Sequence, residues 1–144
     1  MTVRVKRTFE FDAPGERVWE FISDPAKRAG SISVVDRYDI SDDGRRATWY
    51  LELPIPLVRS TVTVETEDVD VEPPTHVRFV GRSRVMHVSG EHTIESDGDD
   101  GCRLVNEFVV DGRLPGVETF FERNLDRELQ NLEAALREEL EATA

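Results

Sequence analysis

The chain has 144 residues, a length typical of one domain, and 38% of them are hydrophobic, a content that excludes wholesale disorder. Asp and Glu number 30 against 18 Lys and Arg, so the net charge of −12 disfavours nucleic acids and anionic membranes as partners. The single cysteine, Cys102, excludes an intrachain disulfide framework and a thiolate zinc cluster. We expect one domain over 1–144.

The N-terminal segment predicts a strand followed by two short helices. Residues 2–11 alternate apolar and polar side chains with a period of two, as strands do. Pro14 suits the first turn of a helix over 14–23, and a short turn over 25–30 follows Asp24-Pro25. Because this segment has no long apolar run, we expect neither a signal peptide nor a membrane span, and a cytoplasmic protein.

The middle of the chain predicts about six antiparallel strands. Turn-rich tracts at 42–44 and 97–101 indicate hairpins between neighbouring strands. The predicted strands are 31–40, 46–53, 57–71, 76–81, 85–96 and 102–110.

The C-terminal segment predicts a single long helix. From about Pro115 to Ala142, Val, Phe and Leu recur at helical spacing within one arc, which indicates an amphipathic helix of about 26 residues. Phe120 lies off this stripe, where either the short helices cover it or it marks a partner surface. The order of elements predicts an α+β fold in which a curved antiparallel sheet of six to seven strands wraps around this helix.

The last hairpin is expected to pair Ile94 with Cys102, and therefore His92 with Leu104. The same parity turns the more apolar face of both strands inward. The inward side chains are Met86, Val88, Gly90, His92 and Ile94 on one strand and Cys102, Leu104, Asn106, Phe108 and Val110 on the other.

Three pieces of the chain together resemble the START-like, or polyketide cyclase/dehydrase, superfamily with its helix-grip fold. They are the segment Asp12–Pro25 with its "AP…VW…SDP" pattern, the multi-strand middle, and Gly112-Arg113-Leu114-Pro115-Gly116 before the last helix. Within this superfamily, the carbon monoxide dehydrogenase branch is the most similar. The resemblance implies a cavity between the sheet and the last helix that holds a hydrophobic or amphipathic small molecule. It implies no catalytic residue, because the superfamily shares no universal catalytic motif.

The candidate cavity residues lie on inward-facing strand positions and on the apolar side of the last helix. They are Trp49, Leu51, Met86, Val88, His92, Asn106, Phe108, Val117, Phe121, Asn124 and Glu128.

Three of these candidates are polar, and each has alternative roles. His92 is a core histidine with a hydrogen-bond partner, a polar anchor in the cavity, or a general base. Asn106 either anchors a ligand carbonyl or satisfies backbone near Gly90. Glu128, at the edge of the apolar stripe, either faces the cavity as an acid or anchor, or extends to solvent.

The sequence predicts no metal and no cofactor. His87 and His92 are five residues apart on one strand and therefore point to opposite faces, and no HExxH motif is present. No phosphate-binding loop or catalytic triad spacing is found either. Cys102 is expected to be a small core residue.

Three functions remain open at this point. The first is a carrier or sensor that binds a hydrophobic or amphipathic small molecule, without catalysis. The second is a polyketide cyclase or dehydratase that uses His92, Asn106 or Glu128 for acid–base catalysis. The third is a protein-interaction accessory factor of a redox enzyme, with a protein partner; the sequence leaves the oligomeric state open. The acidic surface further suggests a halophile's cytoplasm, since concentrated salt screens the self-repulsion.

Overall fold

The computed structural model describes residues 2–55, 61–98 and 100–142. Seven strands of this described part form one antiparallel sheet with the order β1-β7-β6-β5-β4-β3-β2. The predicted α+β class is confirmed, with two short helices after the first strand and one long helix at the end. The elements are β1 (Thr2–Phe11), α1 (Gly15–Ile22), α2 (Pro25–Gly30), β2 (Val35–Ile40), β3 (Arg46–Leu51), β4 (Val62–Glu72), β5 (His76–Arg82), β6 (Met86–Ser96), β7 (Cys102–Gly112) and α3 (Val117–Ala142).

The segment between α1 and β2 is more helical and less extended than predicted. The Asp24 side chain accepts a hydrogen bond from the Ala26 backbone N–H at 2.9 Å, which caps α2 at its start. Residues 31–34 do not join the sheet, so the strand predicted over 31–40 begins only at Val35. Backbone bonds from Ile32 N–H to the Ala29 carbonyl and from Val35 N–H to the Ile32 carbonyl turn the chain instead. This places a non-sheet segment, the 32–34 turn, beside the inner face of the sheet.

The strands in the middle of the chain agree with their predicted order and differ at their ends. β3 stops at Leu51, and β4 begins at Val62 and continues to Glu72. Positions 57–60 of the predicted fourth strand lie outside the described residues.

The predicted register of the last hairpin is wrong by two residues, whereas its inward face is right. Ile94 pairs with Leu104 and His92 with Asn106, because pairing starts one step nearer the loop, at Ser96 and Cys102. A bond from Asp97 N–H to the Gly101 carbonyl, at 2.9 Å, continues the pairing into the loop. A shift of two residues preserves the side-chain parity of a strand, so the inward set is unchanged.

The long helix α3 lies on the concave face of the sheet and packs against β1 and β7. Its buried apolar side chains are Val117, Phe121, Leu125, Leu129, Leu132 and Leu136. Phe120, off this stripe, is half-buried and packs against the core, with its ring edge-on to Phe121 at a centroid distance of 5.0 Å. Helix α1 covers β6 and β7, and α2 covers β2 and β3. Thus the helices cover the inner face of the sheet on one side, where the cavity described below is enclosed.

Candidate functional site

A small cavity lies between the sheet and α3, with a volume of about 30 Å³. Apart from Glu128, its wall is entirely apolar. Ligand pockets for drug-sized molecules measure roughly 300–1,000 Å³, so this cavity is closed down to the size of one or two water molecules. The lining residues are Ile32, Val34, Trp49, Leu51, Phe79, Met86, Val88, Phe108, Val110, Phe121, Leu125 and Glu128.

Seven of the predicted cavity residues line this space: Trp49, Leu51, Met86, Val88, Phe108, Phe121 and Glu128. The other four, His92, Asn106, Val117 and Asn124, do not line it. Of the lining residues that the sequence analysis missed, Val110 and Leu125 had already been placed on the inward strand face and on the helix stripe. Ile32 and Val34 were missed because they had been assigned to a strand, and Phe79 because its short strand offered little pattern.

Glu128 faces the cavity and does not extend to solvent. Its side chain is held in the middle of α3, where the residue is only 4% exposed. One carboxylate oxygen accepts from the Ser33 backbone N–H at 2.8 Å, and the other accepts from Ser33 Oγ at 2.5 Å and Asn131 Nδ2 at 3.1 Å. Helix α3 is therefore joined to the 32–34 turn across the cavity edge by a buried carboxylate.

His92 and Asn106 form a hydrogen-bonded pair inside the core. His92 Nδ1 lies 2.7 Å from Asn106 Oδ1, and Asn106 Nδ2 donates to the carbonyls of Arg7 and Leu104, each at 3.3 Å. Because the amide nitrogen donates to carbonyls, Oδ1 is the acceptor, and His92 must carry its proton on Nδ1. Asn106 therefore satisfies backbone groups of β1 and β7 and lies well away from the cavity wall.

The His92 imidazole is neutral. Burial lowers its pKa from 6.5 to about 3; the buried Arg28 guanidinium acts in the same direction, and the Asn106 bond opposes them. Its Nε2 is buried with no hydrogen-bond partner among the described residues. A buried, uncharged ring that does not line the cavity corresponds to the core reading of His92.

Phe79 connects this pair to the cavity wall. Its ring stacks on the His92 ring at a centroid distance of 6.4 Å and meets Trp49 and Phe108 edge-on at 5.5 and 6.2 Å. Gly90 leaves the space for these rings, since a Cβ there would lie 2.3 Å from a carbon of Phe79. The absent side chain at Gly90 thus accommodates aromatic rings, and not Asn106 as the sequence analysis proposed.

A buried ion pair completes the polar part of the core. Arg28 on α2 is 5% exposed, and its Nη2 donates to Asp68 Oδ1 on β4 at 2.5 Å. Its Nη1 donates to the Ile22 carbonyl at 2.8 Å, and its guanidinium lies over the Phe79 ring at 5.4 Å. The pair fixes the short helices to the sheet. Sequence reasoning missed it, because one arginine in a short turn carries no pattern that signals burial.

The remaining candidates have local roles. Asn124 Nδ2 donates to the Phe120 carbonyl one turn earlier in α3, at 2.7 Å. Val117 is fully buried at the start of α3. Cys102 is buried, and burial raises the pKa of its thiol, as expected of an unreactive core cysteine.

Neither a metal site nor a membrane-crossing helix is found in the part of the chain that the structure describes. Within residues 2–55, 61–98 and 100–142, no three His, Cys, Asp or Glu side chains are grouped so that they could hold a metal ion. Over the same residues, every helix is too short or too polar to cross a bilayer.

The sequence matches the model of the polyketide cyclase/dehydrase and lipid transport family over residues 2–137. The chain belongs to this family. No curated protein sequence matches it.

Solved structures of low sequence identity share the fold of this family member over nearly their whole length. A conserved protein from Geobacillus kaustophilus has a TM-score of 0.79 at 14% identity, with 98% of this chain and 97% of that chain covered. A START superfamily protein from Mycobacterium smegmatis has a TM-score of 0.74 at 16% identity, covering 98% and 99%. The ZhuI aromatase/cyclase from Streptomyces sp. R1128 has a TM-score of 0.72 at 16% identity, covering 97% and 96%. These likenesses establish the fold.

Proposed function

We propose that the protein, acting as a single domain over 1–144, binds a hydrophobic or amphipathic small molecule between the sheet and α3, as a carrier or sensor. The observation that carries the proposal is the apolar cavity with a single carboxylate in its wall. An apolar enclosure with few, well-placed polar groups is typical of small-molecule sites. Membership of a family described by lipid transport as well as cyclisation supports the same reading.

A ligand larger than water requires the wall to move, and the 32–34 turn is the part best suited to do so. Ile32 and Val34 line the cavity but belong to no strand, so their displacement breaks no sheet hydrogen bond. Ser33 attaches the turn to α3 through Glu128. Met86 adds a flexible side chain to the opposite wall. We therefore place the entry route at this turn.

The test is ligand binding by the purified protein. Native mass spectrometry after expression, and titration with an environment-sensitive apolar dye, should both detect a bound molecule. Val88→Phe, which adds bulk at the cavity wall, should weaken dye binding at least about tenfold, a loss of about 1.4 kcal/mol. Val80→Phe is the matched control, because Val80 lies on the outer face of the sheet. Failure of every apolar probe to bind would refute the proposal.

The enzyme alternative has weaker support. Of the three residues considered for acid–base catalysis, only Glu128 lines the cavity, and one carboxylate there has no paired second acid or base. The accessory-factor alternative relied on an exposed Phe120, whereas that side chain is half-buried. Both observations favour binding without catalysis.

We also infer a cytoplasmic setting at high salt from the net charge of −12. Thermal stability should rise from 0.1 M to 2 M KCl, because concentrated salt screens the repulsion between surface carboxylates. Equal stability at both concentrations would reject this setting.

A further inference from the structure

We propose that the cavity selects amphipathic amines, whose ammonium group takes the place of Ser33 on the Glu128 carboxylate. The inference rests on the proposed function, since it names the class of ligand that the same cavity would bind. It is carried by the burial, the partners and the position of one side chain.

The first step concerns charge. Glu128 is 4% exposed and lines a cavity that is otherwise apolar. Its hydrogen-bond donors are Ser33 and Asn131, which are neutral. Among the residues that the structure describes, no Arg, Lys or His forms an ion pair with Glu128. A buried carboxylate with only neutral partners gains more from a cation than a solvated one does, because water screens it poorly.

The second step concerns exchange of partners. Two of the three bonds to the carboxylate come from the exposed residue Ser33, whose N–H and hydroxyl can be hydrated once released. An ammonium group supplies three donors and can therefore replace both. Asn131, on α3 itself, keeps the carboxylate oriented during this exchange.

The third step concerns selectivity. The displaced turn carries Ile32 and Val34, so the route that exposes Glu128 also opens the apolar cavity to the hydrocarbon part of the ligand. A ligand with a carboxylate head would bring a like charge to Glu128 and be rejected. An alcohol could donate one hydrogen bond without charge. The expected order of affinity is amine, then alcohol, then carboxylate.

The experiment uses three probes with the same six-carbon chain: hexylamine, hexan-1-ol and hexanoate. Isothermal titration of the full-length protein at pH 7 should show hexylamine binding at least about tenfold more tightly than hexan-1-ol, and hexanoate most weakly. Glu128→Gln should lower hexylamine affinity by about tenfold or more and change hexan-1-ol affinity by less than about threefold. Glu128→Asp, which retains the charge, should retain the preference for the amine.

Attraction of amines to the acidic surface is the effect to exclude. Glu122→Gln removes an exposed carboxylate from the same helix and should leave hexylamine affinity unchanged. The titrations are repeated in 1 M KCl, where surface attraction is screened and a buried pair much less so. Thermal melts of each variant establish that it is folded.

The outcomes separate the two proposals. Binding of hexan-1-ol and hexylamine with equal affinity, or an amine preference that survives Glu128→Gln, would overturn the amine inference and leave the binding function standing. Failure of all three probes and of the apolar dye would refute the binding function itself.

Discussion

Two buried polar groups in this protein differ in how their charges and hydrogen bonds are satisfied. The first is the polar core, which we define as Arg28, Asp68, His92 and Asn106. There the only full charges belong to Arg28 and Asp68, which neutralise each other at 2.5 Å, and the imidazole is held neutral. The second is Glu128, a carboxylate that borders a cavity and is held by neutral donors. The polar core is electrically complete, whereas Glu128 is not.

This difference separates structural roles from functional ones. A buried charge pair that is complete within the chain fixes elements in place, and removing one partner leaves a costly orphan. A buried charge without a counter-charge contributes little to stability and offers a specific partner to a ligand. Mutations should therefore affect folding mainly in the polar core and binding mainly at Glu128.

The largest expected effect on stability is that of Arg28→Met. It leaves the Asp68 carboxylate buried without its cation and should lower the free energy of unfolding by about 3–5 kcal/mol. Urea denaturation followed by circular dichroism measures this loss. Lys27→Met is the matched control on the same helix: its ammonium pairs with Glu139 at 2.9 Å, but both side chains are about one-third exposed, so less than about 1 kcal/mol should be lost. Equal losses from the two variants would remove the distinction between complete and exposed pairs.

The next effect is expected from Gly90→Ala, which disturbs the aromatic packing between the polar core and the cavity. An added Cβ would lie 2.3 Å from Phe79 Cε1 and 2.7 Å from Phe108 Cε1, so both rings must shift. We expect a loss of about 3 kcal/mol, the upper end of the usual overpacking cost, in urea denaturation. Gly30→Ala is the control, because its Cβ would meet nothing nearer than the Tyr38 hydroxyl at 3.9 Å and should leave stability unchanged or slightly higher. A Gly90→Ala protein as stable as Gly30→Ala would contradict the packing argument.

The neutral imidazole of the polar core should make the protein sensitive to acid. Burial lowers the pKa of His92 from 6.5 to about 3, so between these values the unfolded chain binds a proton that the folded chain does not. Stability therefore falls as the pH drops through this window, by about 2 kcal/mol between pH 7 and pH 5. Urea denaturation at several pH values measures the slope.

Two histidine variants isolate this contribution from that of the surface carboxylates, which are common to all of the proteins. His92→Gln should flatten the slope between pH 5 and pH 7, whereas His87→Gln, at an outward-facing and partly exposed position, should keep it. A slope that persists in His92→Gln would show that another group causes the acid sensitivity.

The elements of the fold could be predicted from the sequence because periodicity records which face of a strand or helix is buried. The alternation over 2–11 and the leucine stripe of α3 both gave the right element and the right inward face. The register of the last hairpin could not be fixed this way, since a two-residue slip leaves the alternation intact. The 32–34 turn was missed for a related reason: Ile32 and Val34 alternate like a strand, but hydrogen bonds back to α2 direct their backbone.

The site was less predictable than the fold, because polar burial depends on partners that are distant in the sequence. Nothing near Glu128 in the sequence reveals that Ser33, 95 residues away, holds its carboxylate. Arg28 and Asp68 are 40 residues apart and join elements whose packing the sequence does not specify. Apolar lining residues such as Met86 and Phe121 could be found, since one inward-facing pattern places them all.

The smallest expected effect on stability is that of Glu128→Gln, and it tests the comparison most directly. Replacement by an amide weakens the bonds from Ser33 and Asn131, which lose their ionised acceptor. It also removes the cost of burying a charge that has no counter-charge among the described residues, and these two effects oppose each other. We expect a net change below about 1 kcal/mol in urea denaturation, against about 3–5 kcal/mol for Arg28→Met. A loss as large as that of Arg28→Met would make Glu128 a structural residue like those of the polar core, and its carboxylate would then serve to hold the 32–34 turn closed.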